Sequence, residues 1–121
     1  MDKLLSGRQV LVVEDEMLVL IMIEDMLADL GCELVVAAAT VKQALAAIDA
    51  QVFDVAMLDM NLNGDNTYSV ADALAARGVP FVFSTGYSGH EMRDGYRDRP
   101  LLKKPFMEKE LAEIFAPLLS G

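Results

Sequence analysis

The feature that most constrains the fold of this chain is a set of short apolar runs that each stop at a polar side chain. One run covers residues 10–13 and ends at three acids, a second covers 55–58 and ends at Asp59, and a third covers 79–83 and ends at Ser84 and Thr85. An apolar run of four or five residues that ends in turn chemistry predicts a strand buried on both faces. Because open α/β sheets carry ligand chemistry at the carboxyl ends of their strands, we expect these polar groups to share one site.

Strands and helices are predicted to alternate along the whole chain. The predicted strands cover residues 8–13, 33–38, 54–58, 80–84 and 101–102. The predicted helices cover residues 16–30 with Asp15 as N-cap, a second segment capped by Thr40, 67–77, and 107–119. Residues 86–99 are rich in glycine and predict one or two helical turns at most. This order implies an α/β fold, a five-stranded parallel sheet with helices on both faces.

Length and charge restrict the domain count and the partners. The 121 residues predict a single domain, and a net charge of −9 argues against nucleic acid or an anionic membrane as a partner. The same charge favours a divalent cation or a basic patch on another protein. The N-terminus lacks an apolar signal segment, and the longest apolar run, residues 17–23, is too short to cross a membrane. We therefore expect a cytoplasmic protein.

Carboxylates dominate the predicted site. Glu14, Asp15 and Glu16 alone are compatible with a solvated, acidic helix start. Asp59 changes this interpretation, because carboxylates that converge from two neighbouring strands repel one another unless a cation neutralises them. Oxygen ligands of this kind suit Mg²⁺ or Mn²⁺.

A lysine and a hydroxyl complete the predicted set. Lys104 precedes Pro105 after the fifth predicted strand, and Thr85 ends the fourth, so both emerge at the same edge of the sheet. Each has a simpler interpretation, as a solvated lysine and as a turn residue before Gly86. Together with the acids they are what holding a phosphoryl group on an aspartate requires.

In these residues the chain resembles a response-regulator receiver domain of the chemotaxis-regulator type, over essentially its full length. The matching residues are Glu14 and Asp15, Asp59, Thr85, and the Lys104–Pro105 dipeptide. The resemblance implies a flavodoxin-like doubly wound sheet with strand order 2-1-3-4-5 and a short or irregular fourth helix.

The resemblance also assigns roles to the matching residues. It implies that Asp59 accepts phosphate from a sensor histidine kinase or a histidine phosphotransferase. Asp15, Asp59 and the main-chain carbonyl of Asn61 would bind Mg²⁺ directly, and Glu14 would act through water. Lys104 would pair with the phosphoryl oxygens. Thr85 would hydrogen-bond the phosphate and report its presence.

The chain departs from the usual receiver pattern in the fifth predicted strand. Leu101 stands where receivers usually carry an aromatic residue. Residues 80–87 resemble the strand-four ending of the single-domain "FAT GUY" subgroup, which often works with alphaproteobacterial kinases in stress signalling. In that case we expect Tyr87 to take over part of the missing aromatic's role or to shield the phosphate from water.

We therefore expect a stand-alone receiver over residues 1–121, without an effector domain, that acts as a signalling switch or as a phosphate shuttle or sink. It would be a phosphoacceptor that promotes its own phosphorylation and dephosphorylation rather than an enzyme. One alternative is a Mg²⁺-dependent aspartyl phosphatase, although Asn61 occupies the position where such enzymes place a second acid. The other alternative is an adaptor that keeps the fold and binds without phosphate.

Near its start, the first predicted helix contains seven consecutive apolar residues, 17–23. Burial between the sheet and the final helix is the interpretation that we favour for this run. In the alternative, Leu18, Ile21 or Met22 faces solvent and docks the kinase, as the first helix does in receivers generally. Exposed apolar side chains of this kind would mark an interface.

Overall fold

The computed structural model describes residues 3–62, 65–85 and 100–119. Within these ranges, helices separate the first four predicted strands, as the sequence predicts, and two short additional strands follow the third. The strands are β1 Gln9–Val13, β2 Leu34–Ala38, β3 Val55–Asp59, β4 Asn61–Leu62, β5 Asp65–Asn66, β6 Phe81–Thr85 and β7 Leu101–Lys103. The helices are α1 Met17–Asp29, α2 Val41–Ala50, α3 Tyr68–Ala76 and α4 Glu108–Leu119. The irregular fourth helix that the sequence predicts falls in residues 86–99, outside the described residues.

The main sheet has five parallel strands in the order β2-β1-β3-β6-β7. Numbered along the main sheet alone, this is the predicted order 2-1-3-4-5, which is confirmed. Val13 pairs with Leu58, and Asp59 pairs with Ser84, so β1, β3 and β6 end side by side. The carboxyl edge of the sheet therefore collects the polar residues that follow these strands.

Alternate residues of each central strand enter two separate apolar layers. In β1, Leu11 and Val13 face the layer that holds α2 and α3, whereas Val10 and Val12 face the layer that holds α1 and α4. Every residue of β3 is buried. A strand covered on both faces needs apolar residues at consecutive positions, which explains why these strands appear as short continuous runs.

The two predicted helix caps have different outcomes. Thr40 caps α2 as predicted, because its Oγ1 accepts the N–H of Gln43 at 3.0 Å. The prediction that Asp15 caps α1 is wrong: the N-cap is Glu16, which makes no capping bond with its side chain. Instead, the Glu14 carboxylate accepts the N–H of Glu16 at 3.2 Å, and the Asp15 carboxylate lies in an acidic cluster at the sheet edge.

Two short strands follow Asp59 before the third helix begins. Asp59 itself is the last residue of β3, and β4 and β5 form a small antiparallel hairpin directly after it. Thr67 then precedes α3. The hairpin brings the two ends of this segment together beside the carboxyl edge of the main sheet.

The interpretation that buries the apolar start of α1 is wrong. Leu18 is 79% exposed, and Ile21 and Met22 are also exposed, whereas Ile23 and Leu27 are buried. A helix that lies against a sheet buries only one face, so an apolar run that extends around the helix must leave side chains in solvent. Among the described residues, no helix combines the length and the apolar character that crossing a membrane requires.

Candidate functional site

Three carboxylates meet at the carboxyl edge of the sheet. One oxygen each from Glu14, Asp15 and Asp59 lies within 4.8 Å of the others. Glu14 and Asp15 follow β1, while Asp59 ends the adjacent strand β3, so the sheet register itself brings them together. The structure thus unites three of the residues that the sequence predicts for one site.

Lys104 bridges two of these carboxylates. Its Nζ donates to Glu14 Oε1 at 2.8 Å and to Asp59 Oδ2 at 3.1 Å. Its main-chain N–H donates to the carbonyl of Thr85 at 2.8 Å, which joins the segment after β7 to the end of β6. The Lys104–Pro105 peptide bond is cis. The neighbouring Lys103 is exposed, so Lys104 is the lysine that belongs to the site.

Burial and charge act together on the ionisation of this cluster. Burial raises the pKa of Glu14, the hydrogen bond from Lys104 opposes this shift, and the negative charge of Asp59 adds to it. For Lys104, burial alone would lower the pKa, but the hydrogen bond to Glu14 and the charge of Asp59 outweigh burial and raise it. The lysine is therefore held as an ammonium group between acids.

The predicted hydroxyl lies at the same edge. Thr85 is buried at the end of β6, one position beyond Ser84, which pairs with Asp59 in the register. Asn61 begins the hairpin two residues after Asp59, so its main chain lies next to the cluster in sequence. Its predicted role as a carbonyl ligand stays a prediction.

Leu101 occupies the position where receivers usually carry an aromatic residue. Leu101 is half-buried and pairs with Phe83 in the sheet register. The ring of Phe83 makes edge-to-face contacts with Tyr68, at 6.0 Å between centroids, and with Phe81, at 5.6 Å. The contact with Tyr68 joins β6 to α3, and the contact with Phe81 lies within β6. Tyr87, the predicted substitute, lies outside the described residues.

Sequence reasoning missed Thr67. This residue is 1% exposed, and its Oγ1 donates to the main-chain carbonyl of Asp59 at 2.7 Å. A threonine at the start of a helix predicts a local cap, yet Thr67 makes no capping bond with its side chain. No pattern in a single sequence distinguishes these two uses of the hydroxyl.

The donor set fits a hard divalent cation. Among the described residues, three carboxylates and the ammonium group of Lys104 form this partly buried cluster. Carboxylate oxygens are the ligands that Mg²⁺ and Mn²⁺ prefer.

A five-stranded parallel sheet in this order, with an acidic cluster and a lysine at its carboxyl edge, defines a receiver-type α/β domain. The chain belongs to the response regulator receiver domain family, whose model matches residues 10–116. It is therefore a receiver domain of a two-component response regulator.

Several solved structures are similar to this chain. SdrG from Sphingomonas melonis Fr1 shares 44% sequence identity over 96% of this chain and 98% of its own, with a TM-score of 0.83. The receiver domain of PhyR from Erythrobacter litoralis shares 29% identity over 95% of this chain and 92% of its own, with a TM-score of 0.82.

A third similar structure contains a metal ion. The receiver domain of the sensor histidine kinase PA1611 from Pseudomonas aeruginosa, solved with magnesium coordinated in its active-site cleft, is 28% identical over 96% of this chain and 100% of its own. Its TM-score is 0.82.

No curated protein sequence matches this chain significantly.

Proposed function

We propose that this receiver accepts a phosphoryl group on Asp59 from a phosphohistidine of a partner protein and signals through the phosphorylated form. The observation that carries the proposal is the bridge from Lys104 Nζ to Glu14 and Asp59, beside the Asp15 carboxylate. This arrangement supplies a carboxylate nucleophile, a fixed positive charge, and oxygen ligands for a cation. It is the combination that positioning and charge neutralisation in phosphoryl transfer require.

The proposed step forms one bond and breaks one. A carboxylate oxygen of Asp59 attacks the phosphorus, the P–N bond of the phosphohistidine breaks, and its electron pair returns to the imidazole nitrogen, which takes up a proton. Lys104 then pairs with a phosphoryl oxygen, and the Thr85 hydroxyl hydrogen-bonds another. Lys104 holds positive charge at the point where negative charge accumulates, which favours the transfer.

Glu14, Asp15, Asp59 and the main-chain carbonyl of Asn61 would hold Mg²⁺, or Mn²⁺ in its place. When bound, the cation supplies positive charge to the oxygens of the transferred group. The acidic cluster of this chain supports this assignment, as does the magnesium in the cleft of the similar domain from the PA1611 kinase.

The same site argues against an enzyme that acts on outside substrates. Asn61, two residues after Asp59, cannot serve as the acid or base that an aspartyl phosphatase needs at that position. We propose a phosphoacceptor that turns over only its own phosphoryl group. A phosphate-independent adaptor would have no use for the cluster, because buried like charges are costly to keep.

The test of this function is incubation with phosphoramidate, a small donor with a P–N bond, in the presence of Mg²⁺. ³¹P NMR should show an acyl phosphate on the protein that disappears on treatment with hydroxylamine. For a phosphate-independent adaptor, the spectrum should show no acyl phosphate signal. A phosphatase would instead release phosphate from unrelated phosphomonoesters at a steady rate.

We propose that α1 docks the histidine kinase or phosphotransferase that supplies the phosphate. Leu18, Ile21 and Met22 expose apolar surface there. A groove of about 320 Å³ between α1 and the segment after β7 adjoins them, and its lining includes Met22, Met26 and Lys104. An apolar helix with basic flanks would fit this surface of an acidic protein.

Stress signalling, a cytoplasmic location and operation without an effector domain stay predictions.

Replacing Leu18 by lysine is expected to slow phosphotransfer from a phosphorylated kinase about tenfold, because a charge would enter an apolar contact. The melting temperature should not change, since the side chain is 79% exposed. Val52→Lys is the matched control, because Val52 is 80% exposed at the opposite end of β3. Equal transfer rates for the two variants would exclude α1 as the docking surface, and a large loss of stability in Leu18→Lys would restore the burial interpretation.

A further inference from the structure

The peptide unit that follows Asp59 is held on two sides. Its carbonyl, which belongs to Asp59, accepts the Thr67 hydroxyl at 2.7 Å. Its N–H, which belongs to Met60, donates to the carbonyl of Ser84 at 3.2 Å. One bond comes from the start of α3 and the other from β6, so two separate elements fix the same peptide plane.

This plane determines where the Asp59 side chain points. The direction of a Cα–Cβ bond follows from the two peptide planes that flank the residue. Strand pairing fixes the plane before Asp59, since Leu58 pairs with both Val13 and Phe83. The Thr67 and Ser84 bonds fix the plane after it. Without the Thr67 hydroxyl, one side of this restraint is lost and the buried carbonyl loses a hydrogen bond.

The same threonine closes the base of the hairpin. Its N–H donates to the carbonyl of Met60 at 3.2 Å, next to the antiparallel pair of β4 and β5. Asn61, whose carbonyl is a proposed cation ligand, is the first residue of β4. The two bonds of Thr67 therefore restrain both the proposed nucleophile and the proposed main-chain ligand.

The Thr67 hydroxyl serves this bond and not the helix. Thr67 is the N-cap of α3, yet its side chain makes no capping bond. At the start of α2, by contrast, Thr40 does cap its helix. Because the hydroxyl of this cap residue binds a neighbouring strand, it does not stabilise its own helix, which indicates another role.

We infer that Thr67 is a positioning residue, whose hydroxyl orients Asp59 for phosphoryl transfer and holds the hairpin that presents the Asn61 carbonyl to the cation. This inference rests on the proposed phosphoacceptor function. In this role Thr67 acts through the main chain of Asp59 and Met60, to which it is hydrogen-bonded. Phosphoryl transfer tolerates only small changes in the distance between the reacting atoms, so the orientation of Asp59 should affect its rate.

The test compares Thr67→Val, which keeps the shape and removes the hydroxyl, with Thr67→Ser, which keeps the hydroxyl. Thr67→Val should lower the rate of phosphate uptake from phosphoramidate about tenfold or more and weaken Mg²⁺ binding several-fold by calorimetric titration. Thr67→Ser should retain most of both. Hydrogen exchange at the Met60 amide should be faster in Thr67→Val than in Thr67→Ser. Thr67→Ala replaces Thr67→Val if the latter does not fold.

Leu74→Ala controls for stability, because Leu74 is buried about two turns further along α3. If Leu74→Ala loses as much phosphate uptake as Thr67→Val, the positioning role is overturned. It is also overturned if Thr67→Val and Thr67→Ser both match wild type in phosphate uptake and Mg²⁺ affinity. If wild type accepts no phosphate but binds Mg²⁺, the proposed function fails, and the Mg²⁺ affinities of the Thr67 variants still decide the inference. A wild type that neither accepts phosphate nor binds Mg²⁺ would overturn both.

Discussion

Asp59→Asn is expected to abolish phosphate uptake while leaving the fold intact. Asparagine has nearly the shape of aspartate, so the main chain at the end of β3 and its bonds to the neighbouring strands should persist. Its neutral amide is a far weaker nucleophile than the carboxylate, and the substitution also removes one of the three clustered negative charges. We expect no acyl phosphate signal by ³¹P NMR after incubation with phosphoramidate and Mg²⁺.

Asp49→Asn is the matched control for this substitution. Asp49 is an exposed residue that pairs with Arg77, away from the acidic cluster. Phosphate uptake in Asp49→Asn should equal that of wild type. Undiminished uptake by Asp59→Asn would place the nucleophile elsewhere, with Asp15 the first alternative, because its carboxylate lies in the same cluster.

Lys104→Met is expected to lower the free energy of unfolding by about 3 kcal/mol in the absence of divalent cations. Methionine keeps the length and flexibility of the side chain but removes the ammonium group. Glu14, whose side chain is 1% exposed, would then remain beside Asp59 and Asp15 with no cation to compensate it. Leaving a buried charge unpaired is among the costliest single changes in a protein core.

The loss should depend on pH in a defined direction. Removing Lys104 removes the hydrogen bond that opposes the raised pKa of Glu14, so this pKa rises further above its ordinary value of 4.5. An acid whose folded pKa exceeds its unfolded pKa costs no stability below the unfolded value and costs progressively more as the pH rises toward the folded one. The deficit of Lys104→Met should therefore be larger at about pH 8 than at about pH 5.

Lys103→Met makes the same chemical change at the adjacent, exposed position. Denaturant unfolding of the two variants and wild type, with and without Mg²⁺, measures the effect. Lys103→Met should stay within about 0.5 kcal/mol of wild type, and Mg²⁺ should recover part of the loss in Lys104→Met. Equal stability of the two variants would show that the bridge does not support the fold.

The sheet could be predicted from the sequence because burial on both faces leaves a simple pattern. Continuous apolar runs such as residues 55–58 allow few other structures, and the polar residues at their ends then fall at one edge. The cluster of Glu14, Asp15 and Asp59 follows directly from that geometry. The parallel register then brings the carboxylates together, because it aligns the carboxyl ends of β1 and β3.

The features that could not be predicted depend on contacts between distant residues. An apolar run on α1 does not reveal which of its faces meets the sheet, so the predicted burial of Leu18 is wrong. Likewise, both Asp15 and Thr67 precede a helix and look like caps, yet each side chain serves the sheet edge instead. Long-range competition for a side chain overrides its local preference.

The measurement that tests the central claim most directly is the intact mass of wild-type protein after incubation with acetyl phosphate or phosphoramidate. One sample contains Mg²⁺ and the other a chelator. We predict that the mass of a single phosphoryl group is added with Mg²⁺ and that almost none is added with the chelator. No adduct from either donor with Mg²⁺ present, or equal adducts with and without the cation, would contradict a Mg²⁺-dependent phosphoacceptor at Asp59.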